Sequence, residues 1–197
     1  MANMSLRQRS TYRSSDDDDS NGPILDEQEQ EELINDLKEE SQTRNTQYQY
    51  LLQVFIALSA VLHISYLLNG SGETPFAAIL PRTAPSPPIP GASAFIFLAL
   101  FVHANLSLHL VSPQHAVRSN LANTFAGHVP LRQPFIFLAS LIAPVLAVCL
   151  SRSLVDVMWW CFTLNLAAFI FSAQRWFRQE AEAIQRLENM RYDARGA

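Results

Sequence analysis

The chain has 197 residues, of which 49% are hydrophobic, with a net charge of -4 and two cysteines. Its length is compatible with one domain, and its mean hydropathy is only +0.06 because a very polar N-terminal part offsets very apolar later parts. The acidic balance argues against a nucleic-acid binder, which needs a clustered basic face. Cys149 and Cys161 lie inside apolar runs, with neither a disulfide framework nor zinc-site spacing.

Residues 1–22 form a tail that is disordered by composition, with too little apolar mass to offset chain entropy. Ser14 and Ser15 stand before Asp16 to Asp19, each with an aspartate three residues on, the pattern that acidophilic kinases accept. Residues 23–42 are rich in strong helix formers and acids, with Pro23 suited to a start and a narrow stripe through Leu33, Ile34 and Leu37. They predict a short acidic amphipathic helix, too negative to bind an anionic membrane surface. Thr43 to Gln47 reads as a polar connector.

Four hydrophobic runs follow: 48–68, 92–111, 134–150 and 154–173. Crossing the hydrocarbon takes roughly 20 apolar residues, so each is expected to span. The polar N-terminal part lacks the apolar core of a cleavable signal, and the first run is expected to act as an uncleaved anchor. Residues 69–91 form a Pro-rich loop, extended and partly polyproline-like. Its Asn69-Gly70-Ser71 has the form of a glycosylation sequon but abuts the membrane. Residues 112–133 read as a basic interfacial loop.

Pro144 should kink the third run, and Ala139, Ala143 and Ala147 make a stripe that lets another helix approach closely. Three residues, Ser151 to Ser153, join the third and fourth runs in a hairpin. Trp159 and Trp160 near one end of the fourth run, and Trp176 near the other, suit interfacial belts. Residues 174–192 continue the fourth run as a helix, with Ile184 and Leu187 as a candidate docking face. Glu182 and Arg186 make a favourable i, i+4 pair there. Opposite charge bias suggests the acidic N-terminal helix as cover for that face.

Charge sets the expected topology. Lys38 and Arg44, Arg118 and Arg132, and Arg175, Arg178, Arg186 and Arg191 flank one side of the spans; Arg82 and Arg152 alone flank the other. Both termini are therefore expected in the cytosol. Span lengths near twenty make the endoplasmic reticulum the default membrane.

The spans offer little chemistry. They hold no lysine, arginine or glutamate, and Asp156 is their one acid, four residues from Arg152 in a possible hairpin ion pair. This argues against ion-coupled transport. His63, His103, Asn105, His109 and Asn165 are candidates for interhelical hydrogen bonds. No histidine box, nucleophile elbow or nucleotide loop appears, so no catalytic residue, metal or cofactor is expected. The expectation is an all-α polytopic membrane protein with four transmembrane helices and short cytosolic amphipathic helices at both ends. It touches the bilayer and meets protein partners through those helices, as a scaffold, adaptor or assembly factor. The rival is a membrane-embedded lipid-modifying enzyme or small carrier built on the span histidines and Asn105. Oligomeric state is not legible.

Overall fold

The computed structural model describes residues 27–69, 73–80, 87–111, 115–124 and 130–195, and among them it is helical, with no strand. The helices are α1 (Glu27–Asn69), α2 (Ala92–Leu110), α3 (Ala116–Thr124), α4 (Gln133–Cys149) and α5 (Leu154–Arg195), with a 3-10 turn at Pro75–Ala78. Three of them, α1, α2 and α5, are long and apolar enough to cross a membrane. The fourth apolar helix, α4, has 17 residues, or about 25 Å at 1.5 Å per residue. The long helices close a ring in the order α1, α2, α4, α5, with α2 also touching α5.

The ring is apolar outside and partly polar inside. On α1, Leu52, Ile56, Ser59, His63 and Tyr66 are buried, while Val54, Leu58, Val61 and Leu68 are more than half exposed. On α4, Phe135, Leu138 and Val148 face outward, while Ile136, Ser140, Ala143 and Ala147 are buried. In water such a surface would be a severe liability; against lipid chains it costs nothing, and the buried Ser59, His63, His103 and Ser140 find partners inside, whereas Trp159 Nε1 has none among the described residues. This arrangement is consistent with an integral membrane protein. The small-residue stripe of α4 does what its spacing suggests: Ala143 and Ala147 pack inward with Trp160.

α1 and α5 form one antiparallel rod. Contacts descend it in step: Lys38 with Glu188, Arg44 with Glu180, Tyr48 stacked on Phe177, His63 with Thr163, Tyr66 beside Trp159. Each advance along α1 is matched by a retreat of similar length along α5. On α1 the inward positions Ile34, Lys38, Ser41, Asn45 and Leu52 follow the alternating three- and four-residue steps of shallow-angle helix packing. Two expectations change here. The connector at Thr43–Gln47 is helical, so the acidic segment and the first span are a single 43-residue helix. Among the described residues the inter-helix charge pairing also runs opposite to the bias of the two segments. The acidic helix contributes its cations, Lys38 and Arg44, and the basic one contributes its acids, Glu188 and Glu180.

The end of the bundle away from the termini is sealed. α4 ends in a Schellman motif: Arg152 N–H donates to the Ala147 carbonyl at 3.0 Å and Ser151 N–H to that of Val148 at 2.9 Å. Ser151 takes the left-handed conformation (φ 50°) where glycine is usual. The 3-10 turn folds back so that Phe76 meets Trp159 and Phe162 edge-on. Ile89 joins the same cluster. Trp159 and Trp160 are buried at 0% and 5% exposure, so they are core residues and not a lipid-facing belt. Trp176, by contrast, is 60% exposed.

Candidate functional site

The polar candidates divide into two groups at different depths. Within the bundle, α1, α2 and α5 bring His63, His103, Ser59 and Thr163 together, all buried. The two imidazoles lie 5.0 Å apart between centroids, and His63 stacks on Trp159 at 4.8 Å. A carbonyl can only accept, so His63 Nδ1–H donates to the Ser59 carbonyl at 2.8 Å. Its Nε2 then accepts from the Thr163 hydroxyl at 3.2 Å. His103 repeats the arrangement, with Nδ1–H on the Ala99 carbonyl and Nε2 accepting from the Ser59 hydroxyl at 2.5 Å. All four ring nitrogens are engaged by neutral protein groups. Among the described residues, no group of three or more His, Cys, Asp or Glu is placed to hold a metal ion. The arrangement ties three helices together and leaves no ring nitrogen turned toward a substrate.

Asn105 and His109, one turn apart on α2, act together at the other end of the bundle. Asn105 Oδ1 accepts from Leu131 N–H at 3.0 Å, while His109 Nε2–H donates to the Leu131 carbonyl at 2.7 Å. Both backbone groups of the residue leading into α4 are thereby satisfied. Gln174 donates to the His109 carbonyl at 3.1 Å, drawing α5 into the same joint. Gln53 and Ser107 exchange further hydrogen bonds between α1 and α2.

Beside this joint opens a cleft of about 610 Å³, lined by Gln49, His109, Arg118, Gln174, Phe177 and Arg178 among others. Arg118 comes from α3, which the sequence did not foretell. Its NH1 donates to the Val111 carbonyl at 2.8 Å, closing the C-terminal end of α2. A separate apolar groove of about 310 Å³ lies between α1 and α5, lined by Tyr48, Leu51, Phe169, Ser172, Trp176 and Phe177 among others.

The remaining candidates scatter. Asn165 is exposed on the outer surface of α5, apart from both groups. Arg152 and Asp156 do not form an ion pair among the described residues. Arg152 donates to the Pro88 carbonyl at 3.2 Å, and Asp156 accepts from Ser153 Oγ–H at 2.7 Å and Thr74 Oγ1–H at 3.4 Å. Ser153 also accepts from Asp156 N–H at 3.3 Å, a cap on α5. Ile184 is half-buried in the α1–α5 rod and Leu187 is 44% exposed. Cys149 and Cys161 are both free. Ser14 and Ser15 lie outside the described residues, as does Arg82.

Comparison with protein-family models, curated proteins and solved structures finds no match to this chain.

Proposed function

We propose that this chain is a non-enzymatic membrane adaptor, which anchors four helices in a bilayer and presents a rigid helical stalk beyond it. In this reading α4 crosses with the other three, and the termini lie in the cytosol, as the distribution of Lys and Arg favours. The endoplasmic reticulum is the membrane that spans of this length suit by default. Phosphorylation at Ser14 and Ser15 would add charge to a tail leading into the stalk.

The observation that carries the reading is the continuity of α1 and α5. Each runs over 40 residues, or about 60 Å, twice the roughly 30 Å of hydrocarbon. The surplus is held as a pair by Lys38–Glu188 and Arg44–Glu180. The pair leaves one apolar side uncovered. Leu33 and Leu37 each precede an inward residue, Ile34 or Lys38, and Leu187 precedes Glu188. In an antiparallel pair those offsets of about 100° fall on the same side. Leu33, Leu37 and Leu187 are 49%, 38% and 44% exposed. Leu51 and Trp176 have the same offsets from Leu52 and Phe177, so the apolar groove continues that side toward the membrane. Such a surface fits an amphipathic or membrane-entering helix of a partner protein.

The test is co-purification in mild detergent from the native host, comparing the unaltered chain with L33E/L37E/L187E. The adaptor reading expects a defined set of partners that the triple variant loses while it remains folded and membrane-inserted. An unchanged set of partners would refute it.

A further inference from the structure

On the opposite side of the same rod, we infer that the cleft between α2, α3 and α5 is a binding site for an anionic phosphate group. Gln49 and Arg178 each follow a residue of the α1–α5 seam, Tyr48 or Phe177, whose rings stack on each other. Both therefore lie across the rod from the apolar groove. Two guanidinium groups, Arg118 and Arg178, line the cleft, and its lining contains no carboxylate among the described residues. Among the described residues, the ion pairs of the rod take up Lys38 and Arg44 and leave these two arginines outside them.

Geometry favours a phosphate over a smaller anion. Arg118 spends NH1 on the Val111 carbonyl and Arg178 spends Nε on the Gln174 carbonyl at 3.4 Å. Each guanidinium makes one such bond, the Arg178 one long and exposed, and its other N–H groups are available for paired contacts to phosphate oxygens. The Gln49 side chain adds a donor at the rim. The volume of about 610 Å³ lies within the roughly 300–1,000 Å³ usual for small-molecule sites.

Depth points the same way. His109 and Leu110 end the apolar stretch of α2, and Gln174 directly follows that of α5. The exposed aromatics Tyr48 and Trp176 stand at this level of the rod, as residues at a membrane–water boundary do. A basic pocket between helices at that level meets lipid phosphates directly. The same chemistry would accept a free phosphate compound from solution, so the experiment separates the two sources.

The full chain, purified in mild detergent, is incubated with phosphatidic acid or with phosphatidylcholine, and bound lipid is counted by native mass spectrometry. In parallel, inorganic phosphate is titrated and thermal stability followed. The variants are R118Q, R178Q and R175Q; the last removes one positive charge from the neighbouring exposed position outside the cleft. The expected result is retention of phosphatidic acid over phosphatidylcholine. R178Q and R118Q should each reduce that retention about tenfold, as loss of one charge-assisted contact does, while R175Q changes it little. Retention unaffected by inorganic phosphate identifies a lipid headgroup as the source. Competition and stabilisation by inorganic phosphate identify a soluble phosphate compound. R178Q carries the decision if R118Q fails to fold, since Arg178 is exposed. Absence of any response to either probe overturns the inference. So does an equal loss in R175Q and R178Q, which would mark diffuse surface attraction. The cleft and the apolar groove lie on opposite sides, so failure here leaves the adaptor reading standing.

Discussion

The two ends of the bundle are built on different principles. At the sealed end, aromatic rings close over one another: His63, Tyr66 and Phe76 all meet Trp159. The turn residues Thr74 and Ile89 are buried against the bundle. At the open end the helices continue past the apolar zone, two arginines face a cleft, and leucines stay uncovered. On the adaptor reading, the contrast separates stability from recognition. Groups whose bonds are already made within the chain hold the helices together, whereas groups with spare donors or uncovered surface are free to meet something else. The bonds that His63 and His103 make to Thr163 and Ser59 are of the first kind.

The largest effect should come from the sealed end. Replacing Trp159 by alanine empties the centre of the aromatic cluster and is expected to cost about 3–5 kcal/mol. Reversible unfolding in mixed micelles would measure it, and a cost under 1 kcal/mol would deny that end its stabilising role. Next come the imidazoles. H63L leaves the Thr163 hydroxyl without its acceptor, and H103L does the same to Ser59; each should cost about 1–3 kcal/mol. The two share Ser59, so the double variant should cost less than the sum of the singles.

Smaller effects test the turn and the stalk. S151G places glycine where the backbone is left-handed and should stabilise the hairpin by about 0.5–1 kcal/mol, read as a raised melting temperature. K38A/R44A removes the two inter-helix ion pairs of the stalk among the described residues. Lys38 and Arg44 are each more than 40% exposed, and such pairs contribute under about 1 kcal/mol apiece. The melting temperature should barely move, while proteolysis within residues 27–47 should quicken as the pair frays.

Much of the helical plan was legible in the sequence, because runs of apolar residues bounded by charge announce themselves. The unbroken α1 was not. Its inward stalk positions include Lys38, Ser41 and Asn45, so a search for apolar periodicity sees a connector where the register of α5 imposes a helix. The partners of Lys38 and Arg44 were hidden for a related reason. Overall charge bias describes whole segments, whereas pairing depends on which few side chains face inward. Helix α3 was missed because its nine residues carry little apolar pattern. The cleft could not be read at all, since Gln49, Arg118 and Arg178 come from three helices far apart in the chain. Asn105 and His109 were legible as a pair by their four-residue spacing. Their joint target, the backbone of Leu131, follows only from the packing of α4 against α2.

The most direct test is reciprocal complementation in the native host, after loss of the endogenous gene. One version carries H63L/H103L, with expression and membrane insertion matched to the unaltered chain; the other carries L33E/L37E/L187E. An adaptor should keep its phenotype with the leucine-substituted core and lose it with the altered stalk. The reverse outcome, function abolished by the histidine changes alone and retained by the stalk variant, would contradict the account and return the activity to the membrane interior.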